Sequence, residues 1–239
     1  MAFETRQRGF DVSVGRSAAE IDAGLRAYML RVYNYMASAL ALTGIVAMAV
    51  STSPALMNAI FGSGLSWIVM LAPIGVVLFL SVRIHKMSFG AAQTTFWIYA
   101  GLMGLSLSSI FLVYTGESIA RTFFITAGTF ASMSLYGYTT KKDLSGWGSF
   151  LFMGLIGIIL ASVVNIFLGS SMLQFVISAA GVLIFTGLTA YDTQRIKESY
   201  HAHDDQATAG KKAIFGALQL YLDFVNLFVM LLQFFGNRE

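Results

Sequence analysis

The sequence predicts an all-α integral membrane protein with seven spanning helices, and three observations carry that prediction. Of 239 residues, 56% are hydrophobic and only 11% are charged, whereas a soluble domain carries roughly 25%. Seven apolar segments follow one another at 28–50, 65–83, 91–114, 119–138, 148–168, 172–191 and 213–235. Each is long enough as a helix to cross, or nearly cross, a hydrocarbon core of roughly 30 Å. Basic residues gather on alternate connections, the distribution that orients a chain in a membrane.

The elements follow in order. Residues 1–27 form a polar tail in which Arg6, Arg8, Arg16 and Arg26 alternate with Glu4, Asp11, Glu20 and Asp22. A signal peptide would place its apolar core there, so the first span is expected to serve as the signal. Connections are short and no linker divides residues 28–236, which predicts a single membrane domain. Tyr33, Tyr35, Trp67 and Trp147 near span ends read as interface anchors. Gly101 with Gly104, Gly154 with Gly157, and Ser106, Ser108 and Ser109 are small residues that let helices approach in lipid. Thr122, Thr126 and Thr129 share one face of the fourth span and read as packing, with hydroxyls bonded back to the preceding turn.

Twelve of the fifteen Lys and Arg residues lie on the tail, at 83–90, at 139–147 and at 192–212. Only Arg121 and Arg238 lie on the alternate side. With seven spans this places the amino terminus in the cytoplasm and the carboxyl terminus opposite. The net charge of +3 and pI near 9.2 thus reflect topology, and no nucleic-acid partner is expected. The chain has no cysteine, which excludes disulfides, thiolate nucleophiles and sulfur metal sites, and no cofactor is expected.

The chemistry concentrates in the last span. Gln219, Asp223, Asn226 and Gln233 fall at spacings of four, three and seven, which puts them on one helical face. Asp223 lies about 15 Å in from the cytoplasmic end. An ionised carboxylate at that depth costs roughly 2.5–3.5 kcal/mol on insertion scales, so it calls for a partner, a proton or water. Asp192 ends the sixth span in LTAYDTQRIK and lies below the surface if that helix runs on to Lys197. Arg83, at the inner end of the second span, can reach the same half of the bilayer. Two close carboxylates cannot both ionise cheaply, so the pair is expected to titrate as a unit and to act as a pH-sensitive latch. Ionised, it attracts Arg83 or a hard cation such as Ca2+. Protonated, it releases both. Ca2+ takes six to eight oxygens, so Gln219, Asn226, carbonyls or water would have to complete a transient site at Asp192 and Asp223.

Several stretches resemble the Bax inhibitor-1, or transmembrane Bax-inhibitor-motif, family. They are YGYTTKKDLS (136–145), VNIFL (164–168), LTAYDTQRIK (188–197) and ALQLYLDFVNLF (217–228). LRAYMLRVYNYM (25–36) and SLSSIFLVYT (106–115) resemble its bacterial branch. The likeness covers about 25–236. It implies seven helices with the last one central and wrapped by the other six, and a pH-sensitive Ca2+ leak governed by an aspartate pair. In this sequence the pair would be Asp192 and Asp223, with Arg83 as the matching arginine. It also implies a bacterial inner membrane and, as an alternative to transport, a regulator that binds a membrane-anchored protease.

An intramembrane aspartyl protease is the enzyme reading nearest to this pattern. That class has GxGD where this chain reads LYLD, and no Pro-Ala-Leu follows, so no enzymatic activity is expected. His201 and His203, beside Asp204 and Asp205, read as a solvated polar loop before they read as a metal site. No lysine lies in a membrane core, which excludes a retinal-type pigment.

Overall fold

The apolar segments fold as helices in the computed structural model, which describes residues 18–237. The helices are α1 (Ala18–Ser51), α2 (Pro54–Phe61), α3 (Leu65–Arg83), α4 (Phe89–Leu107), α5 (Gly116–Thr139), α6 (Ser145–Leu168), α7 (Ser171–Glu198) and α8 (Gln206–Phe235), and no strand occurs among the described residues. Their starts follow local chemistry. Ser53, Ser88, Thr115, Ser170 and Asp205 each accept a backbone N–H of the first turn, which satisfies donors that a helix start leaves free. Gly169 ends α6 at φ +58°, a left-handed conformation that glycine adopts without strain.

Three boundaries differ from the sequence expectation. Helix α1 already begins at Ala18, so residues 18–27 are helical, and the rest of the predicted tail lies outside the described residues. The short helix α2 was not expected; Ser53 caps it and Pro54 occupies its first turn. Among the described residues, six helices are long and apolar enough to cross a membrane, namely α1, α3, α4, α6, α7 and α8. Helix α5 has the length, at 24 residues, but Glu117, Arg121 and its run of Thr, Ser and Gly lower its apolarity.

Burial is uneven. In the most apolar stretch of α8, 67% of residues are buried, against 17% in α3 and in α6. Helix α8 packs on α7, α1, α5 and α4, while α3 lies chiefly on α4 and α6 chiefly on α7. The outer faces are apolar: Phe167 is 85% exposed and Val82 75%, as expected of surfaces that meet lipid. In α8 the side chains of Leu218, Leu220, Tyr221, Leu227 and Leu232 are fully enclosed.

Hydroxyl bridges and close backbone approaches tie the bundle together. Tyr221 Oη lies 2.7 Å from Thr43 Oγ1, which in turn donates to the Ala100 carbonyl at 2.9 Å. That joins α8, α1 and α4. Tyr33 Oη meets Ser134 Oγ at 2.7 Å, and Ser134 meets Thr193 Oγ1 at 3.0 Å, which joins α1, α5 and α7. At Gly137, a Cβ would collide with the Ala190 backbone, so α5 and α7 touch main chain to main chain. Gly104 likewise meets the α1 main chain at Thr43, and Gly154 makes room for the Ile184 side chain of α7, whereas Gly101 and Gly157 face open space. Thr126 and Thr129 bond back to the carbonyls of Thr122 and Ile125. Trp67 and Trp147 are exposed. Tyr33 and Tyr35 instead turn inward, Tyr33 to Ser134 and Tyr35 against Phe96 and Trp97.

Candidate functional site

Helix α7 continues to Glu198 and α8 begins at Gln206, so Asp192 is a helical residue and the connection 192–212 shortens to 199–205. Arg195, one turn beyond Asp192, lies on the same face of α7. On α8, Gln219, Asp223 and Asn226 repeat at four and three, again one face. These two faces and one side of α6 line an open-sided cavity of about 820 Å³. Its polar lining includes Tyr191, Asp192, Arg195, Gln219, Asp223 and Asn226, and the α6 wall is mostly apolar. Gly148 on α6 makes room for the Tyr191 ring, which a Cβ would meet at 2.6 Å.

The two predicted carboxyl groups therefore come together across the α7–α8 seam, near enough for each to act on the other. Asp223 is only 4% exposed, and its Oδ2 is buried with no hydrogen-bond partner. Such an atom is costly unless a proton, a water or a cation reaches it. Asp192 is half-buried, and the Arg195 guanidinium acts on its charge.

Arg83 is a correction. It ends α3 with its side chain exposed and does not line the cavity, because α3 packs chiefly on α4 and the turn after it, at 84–86, meets α8 near its start, away from Asp223. The cation that belongs to the site is Arg195. Its signal was present in YDTQR, three residues past the aspartate.

Gln233 is displaced from the expected polar row. It accepts from Gln174 Nε2 at 2.8 Å, and Gln174 Oε1 accepts from Asn165 Nδ2 at 3.2 Å. Ser178 Oγ completes the cluster at 3.3 Å from Gln233. These amides join α6, α7 and α8 one turn beyond Met230, the last α8 residue on the cavity. No periodicity in α6 or α7 marks Asn165 or Gln174, and only contact between helices brings them together.

The polar connections are tied down at the other end of the bundle. Lys212 pairs with Asp204 at 2.6 Å and donates to the Ser199 carbonyl at 3.0 Å. Gln194 takes the Leu144 N–H at 2.8 Å and donates to the Lys142 carbonyl at 2.9 Å. Hydrogen bonds from Thr208 and Ala207 hold the Asp205 carboxyl below the usual range, and those from Ser145 do the same for Asp143. His201 and His203 are exposed. With Asp204 bound to Lys212 and Asp205 capping α8, no group of three His, Asp or Glu residues converges among the described residues. Asp192 and Asp223 supply two hard oxygen ligands, and Gln219 and Asn226 bring amide oxygens to the same cavity. That donor set suits transient contact with a hard cation better than tight retention.

A helical bundle with lipid-facing sides and an ionisable pair held inside it is a polytopic α-helical membrane protein. The family model described as "Inhibitor of apoptosis-promoting Bax1" matches residues 25–239, and the chain belongs to that family, as its motifs suggested. It is 51% identical to the inner membrane protein YbhL of Escherichia coli K12, over 91% of this chain and 94% of that one. A protein of Rickettsia prowazekii is 50% identical over 91% of this chain and 92% of its own. One of Caulobacter vibrioides is 46% identical over 97% and 98%.

Proposed function

We propose that the chain is a proton-gated cation leak, with Ca2+ as the favoured cargo, and that Asp192 and Asp223 form its gate. The observation that carries this reading is the buried, unpartnered Asp223 Oδ2 on the wall of a cavity that also holds Asp192 and Arg195. With both carboxyls ionised, the pair outweighs Arg195 and draws a hard cation toward the Gln219–Asn226 face. A proton shared by the pair removes that attraction and relieves the repulsion between two carboxylates facing each other across the α7–α8 seam. In this reading α5 is the seventh span and α8 the central helix, and Asp192, Asp223 and Arg195 carry out the pH sensing. The basic connections lie in the cytoplasm, the carboxyl terminus lies opposite, and the membrane is a bacterial inner one, as the name of the Escherichia coli relative suggests.

The test is Ca2+ flux into liposomes between pH 6 and 8, with wild type, Asp223→Asn and Arg195→Gln. Wild type should show a pH-dependent flux that Asp223→Asn makes flat and Arg195→Gln displaces along the pH axis. Equal fluxes for all three proteins at every pH would remove the pair from the mechanism. A non-transporting regulator of a membrane-anchored protease would then be the reading to pursue, by crosslinking in native membranes.

A further inference from the structure

On a different face of α8 from the carboxyl cavity, α1 and α5 run side by side with almost no packing between them. The gap holds a crevice of about 660 Å³ that reaches from Arg26 to Met36 on α1 and from Ala127 to Tyr138 on α5, with Phe224 at its floor. Beyond Phe224 a second apolar crevice of about 390 Å³ continues along the same seam as far as Met48. At 1.5 Å per residue, the first crevice is about 15 Å deep, which is half of a 30 Å hydrocarbon core and so one leaflet.

The walls define what fits. Tyr33 and Ser134 face each other across the seam at 2.7 Å, so their hydroxyls satisfy one another and ask nothing of an occupant. The same bridge crosses the seam side chain to side chain, which leaves no unbroken trough for a helix of about 10 Å diameter. A hydrocarbon chain is narrow enough.

The mouth is cationic. Arg26 is the one charged residue on the lining, its side chain is exposed, and it makes no ion pair among the described residues. Lys197 stands beside the rim, donating to the Tyr138 carbonyl at 2.8 Å and lying 5.2 Å from the centre of that ring. Two residues along α1 from Arg26, Tyr28 contacts Ser199 and Tyr200. The mouth therefore opens at the end of the bundle that carries Lys141, Lys142, Lys211 and Lys212. Basic residues at such a surface attract anionic headgroups.

We infer that the α1–α5 crevice is a binding site for an anionic phospholipid, with one acyl chain against Phe130 and Phe224 and the phosphate at Arg26. This site is independent of ion passage and of the carboxyl pair.

Native mass spectrometry of the full chain in detergent tests it, with phosphatidylglycerol and phosphatidylcholine of the same chains titrated separately. Wild type should retain phosphatidylglycerol in preference. Arg26→Gln should weaken phosphatidylglycerol retention about fivefold, the worth of one basic residue at an anionic lipid surface, and phosphatidylcholine retention less, because the choline cation offsets the charge of its phosphate. Ala131→Trp, placed at an exposed position on the crevice wall, should fill the space and lower retention of both lipids. Unchanged phosphatidylglycerol retention by Arg26→Gln would overturn the headgroup assignment. Unchanged retention by Ala131→Trp would overturn the site itself, and so would a wild-type dimer that this variant dissociates without loss of lipid, since a second copy would then be the occupant.

Discussion

The main-chain contact between α5 and α7 makes Gly137→Ala a sharp probe, because those helices hold Asp192 in register. The added methyl would sit against the Ala190 carbonyl oxygen, with the Ala190 Cα and carbonyl carbon both 2.9 Å away. All three atoms are backbone, so no rotamer change relieves the clash and the helices must separate. Overpacking of this kind costs up to about 3 kcal/mol. Alanine in place of glycine within a helix returns about 1 kcal/mol, which leaves a net loss of about 2 kcal/mol. For a chain of this size that lowers Tm by about 4–8 °C. Gly157→Ala is the control. A Cβ there meets nothing within 4 Å, so only the helix gain remains and Tm should rise by about 2–4 °C. Intrinsic tryptophan fluorescence during thermal unfolding in detergent reads both variants, since Trp67, Trp97 and Trp147 lie on α3, α4 and α6. A Gly137→Ala protein that melts at or above the wild-type temperature would refute the contact.

Three further outcomes follow from the hydrogen bonds. Thr43→Val leaves the buried Tyr221 hydroxyl without its partner and should cost about 1–3 kcal/mol. Tyr221→Phe keeps the Thr43 bond to Ala100 and should cost about 0.6 kcal/mol, so equal Tm losses for the two would contradict the bridge. Gln174→Leu removes both the donor to Gln233 and the acceptor for Asn165. It should destabilise by about 1–3 kcal/mol, against a smaller loss for Ser178→Ala, checked by chemical unfolding. The Asp205 carboxyl is held below its ordinary range by Thr208 and Ala207. Its cap is therefore fully present above the unfolded value near 3.8 and is lost as pH falls through the lower folded value. Protection of the first-turn amides of α8, taken relative to their intrinsic exchange rates, should fall as wild type is taken from pH 5 to pH 2.5, while Asp205→Asn shows no such step.

What the sequence makes legible here is cost, and what it hides is adjacency. Asp223 stands out because a carboxylate within an apolar helix must be answered by something, and helical period alone carries Gln219 and Asn226 to its side. Asp192 follows because YDTQRIK continues a helix past the last strongly apolar residue. Arg83 reads as the cation in place of Arg195 because charge counting groups both with the basic ends of their helices and cannot say which helices are neighbours. Packing decides that: α3 leans on α4, whereas α7 runs the length of α8. The α6–α7–α8 amide cluster escaped for the same reason, since Asn165 and Gln174 are unremarkable within their own helices and find each other only across a seam. The short helix α2 was a different omission, because Ser53 followed by Pro54 is a local start signal that needs no tertiary contact. Reading buried polar groups by their cost thus finds the demanding members of a membrane site, and an answering cation is best sought first one turn away on either of their helices. Arg195, one turn past Asp192, satisfies that rule, and Arg83 does not.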